Sequence, residues 1–232
     1  MRHLKNRTLL GLKRLKHTII STNVPKRFVH ENVPYFSQWE SRELNGRILE
    51  KKINAADDPK WKLSGAKTKE EYVSWSWAAC GITCLKMLLA KQTGVVHPIV
   101  TLGKKCVEYG GYALPLEKSN GLVYDPFVRF IKQEFHLDAK VISSMTQQEV
   151  INALAGGSFV IASVNPAIRH SEGDTPQRKG GHLILMLGYD LDKKEFYFHN
   201  PSGESRKNQE YAAISFKDFQ KFFANRGIVI SH

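Results

Sequence analysis

Ser76-Trp77-Ala78-Ala79-Cys80-Gly81-Ile82-Thr83-Cys84-Leu85-Lys86-Met87-Leu88-Leu89 sets Ile82, Leu85, Leu88 and Leu89 on one helical face. Gly94 is a suitable stop, so Cys80 falls in the first turn of a helix. Farther along, Gly180-Gly181-His182-Leu183-Ile184-Leu185-Met186-Leu187-Gly188-Tyr189-Asp190 reads as a buried strand opened by a histidine. Two flanking segments complete the set. Phe198-His199-Asn200-Pro201 supplies a polar side chain able to orient that histidine, and Val33-Pro34-Tyr35-Phe36-Ser37-Gln38 places an amide upstream of the cysteine.

Around these anchors the chain divides into a helical part and a later sheet. Asn32 to Gln38 predicts an extended segment, and residues 39–75 predict a polar insertion or flap with one short helix among Leu44, Ile48, Leu49 and Ile53. Further helices are expected from Pro98 to Tyr109, after Asp125-Pro126 with Asp125 as the cap, and from the Thr146–Glu149 capping box to Leu154. Strands are expected at Ala139–Ser143, Ser158–Val164, His182–Tyr189, Glu195–His199, Ala212–Ser215 and Gly227–Ser231, with a short helix at Phe216–Phe223. This is an α+β layout, helices first and an antiparallel sheet later. Folding back at Asp190–Lys194 brings Asn200 diagonally near His182.

The 232 residues, 42% hydrophobic, suffice for one catalytic domain over 31–232. The charge is uneven: residues 1–30 hold eight Lys or Arg and no acid, carrying +8 of the net +12. Leu4, Leu9, Leu10, Leu12, Leu15, Ile19 and Ile20 interleave with those charges, predicting a basic amphipathic arm for an acidic partner or a solvated helix packed on the body. The basic and aromatic interleaving of single-strand binders is missing, which argues against nucleic acid. No apolar run is long enough to span a membrane, and the three cysteines are read as free thiols in a reducing, cytoplasmic setting.

A thiol with an ordinary pKa of ~8.5 becomes reactive as thiolate, and a helix N-terminus beside an imidazolium favours that form. Cys80 is the candidate nucleophile and His182 its base and later acid. Asn200 would hold the ring, and the Cys80 N–H with the Gln38 amide would stabilise a developing oxyanion. Trp77, Gly181, Arg178 and Lys179 are candidate substrate-binding residues, the cations belonging to a loop over 165–181 with Arg169 and His170. Zinc on Cys80, Cys84 and His182 or His199 lacks a second cysteine pair, so neither metal nor other cofactor is expected.

The segments Val33–Gln38, Trp77–Leu89, Gly180–Asp190 and Tyr197–Gly203 resemble the motifs of papain-like cysteine peptidases, closest to the bacteriocin-processing, double-glycine-type family in stand-alone form. The resemblance implies a papain-like fold and hydrolysis of a peptide or related amide bond through an acyl-enzyme. It implies Cys80, His182, Asn200 and Gln38 as the site. Asn200 stands where that family usually has aspartate, and the Gln38–Cys80 spacing implies the 39–75 insertion. Two other readings use the same residues: an acyltransferase passing the thioester to an amine, and a binding module with a vestigial triad.

Overall fold

The computed structural model describes residues 24–116, 121–173 and 175–231. The 1–30 arm is described only from Val24 onward, and the amphipathic pattern predicted for it lies outside the described residues. Strand β1 (Arg27–Val29) leads through an irregular stretch to α1 (Asn45–Leu49), α2 (Lys69–Ala78), α3 (Cys80–Thr93), α4 (Ile99–Glu108) and α5 (Tyr124–Phe135). Then come β2 (Asp138–Ile142), α6 (Gln147–Ala155), β3 (Phe159–Val164), β4 (His182–Asp190), β5 (Glu195–His199), α7 (Arg206–Gln209), β6 (Ala212–Ser215), α8 (Phe216–Phe222) and β7 (Phe223–Ser231). The sheet is antiparallel in the order β2-β7-β3-β4-β5-β6, and β1 pairs with the far end of β4.

Both faces of the sheet are covered, which explains why β4 reads as an unbroken apolar run. Leu183, Leu185 and Leu187 pack with Ile82, Leu85, Leu88 and Phe130 on the side of α3 and α5. Ile184 and Met186 face the opposite way, toward Val150, Leu154, Phe219 and Phe222. Leu85, fully buried between helix and sheet, fixes the distance at which α3 rides over β4. Its truncation to alanine would cost about 2–5 kcal/mol.

Local signals account for most element ends. Thr146 Oγ1 accepts from the Glu149 N–H while the Glu149 carboxylate accepts from the Thr146 N–H, starting α6. Gly94 closes α3 at φ +73°. Three expectations need correction. Asn32–Gln38 forms no strand, since its backbone bonds reach loops: Gln38 N–H donates to Pro201 O at 2.9 Å. Asp125 does not cap α5; Val123 stands at the cap and Asp125 lies in the first turn, where its charge complements the helix dipole.

The 39–75 stretch is a packed layer, not a polar flap. Trp39, Ile48, Ala55 and Tyr72 form a small core of their own, and α2 occupies its end. Asp58 is the buried polar centre, accepting from Ser41 Oγ (2.6 Å), the Ser41 N–H (3.0 Å), the Tyr72 hydroxyl (2.5 Å) and the Lys60 N–H (2.9 Å). Burial alone would raise its carboxyl, but these donors bring it below the ordinary value.

Candidate active site

Helices α2 and α3 meet at Ala79 with a bend of 86°, so the free N-terminal end of α3 begins at Cys80. Gly81 lets that end abut the sheet: a Cβ there would lie 2.8 Å from Leu183 Cδ1 and 2.5 Å from Leu122 Cδ2. The Cys-Gly pair therefore seats the thiol against the first residues of β4. Cys80 is half-buried, whereas Cys84 and Cys106 are fully buried.

On the sheet side, Gly180 and Gly181 adopt φ +91° and +94°, a left-handed turn that glycine makes without strain, and deliver His182 to the start of β4. His182 Nε2 lies 2.8 Å from Asn200 Oδ1. The orientation of the Asn200 amide follows from its other neighbour: the Ser202 backbone N–H donates to Oδ1 at 3.1 Å, a role only an oxygen can answer. His182 Nε2 is then a donor, and Nδ1 is the ring nitrogen left with a lone pair. Asn200 is itself clamped, its N–H on Gln209 O at 2.8 Å and its carbonyl accepting from Tyr35 OH at 2.9 Å.

Arg169, read from sequence only as part of a cationic loop, proves to be a support of this pair. It sits on a 3-10 turn, Pro166–His170, that folds over the 200–203 turn. Its Nη2 donates to Ser202 Oγ at 2.5 Å and its Nε to Ser202 O at 2.7 Å. Ser202 Oγ lies in turn 3.1 Å from His182 Nε2. No motif signals this arrangement, because it arises from tertiary packing.

Burial bears on the expected thiolate. Burial pushes the Cys80 thiol up, against backbone N–H groups of Leu183, Gly81 and Cys80 and the Arg169 charge, which draw it back. Burial and then the Arg169 charge push His182 down to about 3, opposed by the bond to Asn200. Helix position does not by itself yield a thiolate. Desolvation opposes it at both groups, raising the thiol and lowering the imidazole.

Cys80 and His182 line one cleft of about 470 Å³ with Trp77, Gly181, Leu122, Tyr124, Ser163 and Arg226. Trp77 is 49% exposed there, a large aromatic surface left open beside the thiol, and its ring meets Trp39 edge-on at 5.1 Å. Arg178 and Lys179 do not line this cleft: Lys179 Nζ is spent on Gln220 O at 2.8 Å, and the Arg178 carbonyl accepts from Asn165 Nδ2. Arg226 is the cation that does. Gln38 is buried, with Oε1 unpartnered among the described residues. Its backbone N–H is held by Pro201, next to Asn200. Two residues on, Glu40 pairs with buried Lys86 of α3 at 3.7 Å, tying the Gln38 segment to the helix that bears Cys80. His199, weighed above as a metal ligand, has both ring nitrogens engaged: Nε2 on Val33 O at 3.0 Å and Nδ1 accepting the Tyr211 N–H at 3.0 Å. Among the described residues no group of three potential metal ligands occurs, and no single helix is long and apolar enough to cross a membrane.

A cysteine-headed helix packed on an antiparallel sheet, with a histidine at the start of one strand bonded to an asparagine just past the end of its neighbour, is the layout of the papain-like cysteine-peptidase fold. Within that class, residues 30–229 match the model of the Peptidase_C39-like family, and the chain belongs to this family. Among solved structures it is similar to the peptidase domain of Streptococcus ComA, a bifunctional ABC transporter involved in quorum sensing. That match has 16% identity and a TM-score of 0.45, covering 66% of this chain and 91% of that one. It is also similar to a Bacillus anthracis protein described as a C39-like peptidase, with 14% identity and a TM-score of 0.43, covering 89% and 98%. These likenesses are too distant to carry residue roles. No curated protein sequence matches the chain.

Proposed function

We propose that this protein is a cysteine peptidase that cleaves a peptide or related amide bond through a thioester on Cys80. The observation that carries the reading is the His182–Asn200 bond, which leaves Nδ1 of a neutral imidazole as the base in the cleft it shares with Cys80. In this mechanism Nδ1 takes the Cys80 proton as Sγ adds to the substrate carbonyl. The Cys80 N–H, at the open end of α3, and the Gln38 side-chain amide receive the negative charge on oxygen. The protonated imidazole then gives its proton to the departing amine, the thioester forms, and water activated by His182 releases the acid. Burial disfavours the charged form of each group, so charge separation develops as substrate displaces water, with Asn200 Oδ1 steadying the imidazolium.

The test is incubation with a diverse peptide mixture, reading new termini by mass spectrometry. Wild type generates discrete cleavages and a transient acyl-enzyme mass on the Cys80 peptide, and Cys80→Ala generates neither. Cleavage that persists in Cys80→Ala would refute the proposal.

A further inference from the structure

The register between β3 and β7 breaks at the cleft. Ala162 pairs with Gly227 and Val164 with Phe223, so Ala224, Asn225 and Arg226 oppose the single residue Ser163. Such a bulge re-aims side chains at a sheet rim. It is locked from behind: Asn225 takes φ +53°, its carbonyl accepts the Met145 N–H at 2.6 Å, and its Nδ2 donates to Met145 O at 3.2 Å. Phe223 and Gly227 on either side stay buried, while Arg226 is turned out to solvent along the wall of the Cys80 cleft.

Space for the guanidinium is provided by Gly180, where a Cβ would lie 2.7 Å from Arg226 Nη2 and 3.5 Å from Ser163 Oγ. Among the described residues no carboxylate forms an ion pair with Arg226, and the cleft lining includes no Asp or Glu. Arg169, the other arginine near the thiol, is already engaged with Ser202. A bulge held in place from Met145, a glycine that yields room, and an uncompensated fork of donors together suit a carboxylate.

We propose that Arg226 binds a carboxylate of the peptide, an acidic side chain near the bond attacked by Cys80, and so selects acidic substrates. This rests on the peptidase reading for its substrate class, but the subsite can be tested apart from it. The probe pair is iodoacetate and iodoacetamide, alkylating Cys80 in wild type, Arg226→Lys, Arg226→Ala and Arg226→Glu, each checked for an unchanged melting temperature. The iodoacetate-to-iodoacetamide rate ratio falls about tenfold in Arg226→Ala, falls further in Arg226→Glu, and is partly kept in Arg226→Lys. A ratio unmoved by Arg226→Ala and Arg226→Glu overturns the subsite. Peptides differing only by Glu for Gln near the cleaved bond supply the second arm: wild type prefers Glu, and Arg226→Glu loses that preference. Charge-selective alkylation without any peptide cleavage leaves the subsite standing and removes the peptidase reading.

Discussion

Two buried histidines stand on adjacent strands, His182 at the start of β4 and His199 at the end of β5, and their surroundings separate chemistry from architecture. Burial drives both below the ordinary imidazole value, His182 to about 3 and His199 to about 4. Depressed basicity is therefore no mark of function here. The difference lies in the ring nitrogens: both of His199 are engaged by backbone, bracing the Val33 and Tyr211 segments. His182 commits only Nε2, to Asn200 and Ser202. On the proposed reading, the histidine with one nitrogen fixed is free to serve as a base, and the one with both fixed is a strut.

The largest expected effect breaks that comparison if it fails. His182→Ala lowers kcat by roughly 10⁴-fold or more, as removal of a triad member does, with a smaller loss of stability than His199→Ala. For His199→Ala the pattern inverts: two buried backbone groups lose partners and a cavity opens, destabilising by about 2–4 kcal/mol, read by denaturant unfolding. Comparable activity losses at matched stability in both variants would make the distinction wrong. Asn200→Ala comes next. It leaves His182 in place but unanchored, costing about 10²-fold in kcat, with Asn200→Asp recovering part through its remaining acceptor oxygen.

Arg169→Ala sharpens the comparison further, since Arg169 bears on His182 and not on His199. Its charge lowers the His182 pKa and also lowers that of Cys80. Removing it lets both rise. The base is then protonated at a higher pH, and the acid limb of kcat/KM moves toward neutrality. Losing the Ser202 bonds lowers kcat by about tenfold. A pH–rate profile whose acid limb stays in place would assign Arg169 to structure alone.

What was legible in the sequence follows from where the chemistry sits. Cys80, His182 and Asn200 occupy element ends beside glycine or proline, so residue type and local pattern mark them. Strand β5 was readable because its aromatic run Phe196-Tyr197-Phe198 lies between clear turns. Helix α2 was not: its charged first turn and scattered Tyr72 and Trp75 form no apolar stripe, and it is held by contacts with Trp39 and Asp58. Arg169 was read only as one cation of the 165–181 loop, and Arg226 not at all, for a related reason. One reaches Ser202 from a turn folded over it and the other reaches the cleft from a bulge opposite Ser163, and neither arrangement leaves a periodic trace.

The central proposal, Cys80 as nucleophile with His182 as its base, is tested most directly by site-mapped alkylation of the three cysteines from pH 3 to 10. Wild type should label Cys80 at a low, nearly flat rate from just above the His182 value of about 3, rising on the alkaline side above an ordinary thiol. His182→Ala should lose the plateau and keep only the alkaline rise. Slow, His182-independent labelling of Cys80 with the pH dependence of an ordinary thiol would contradict the account.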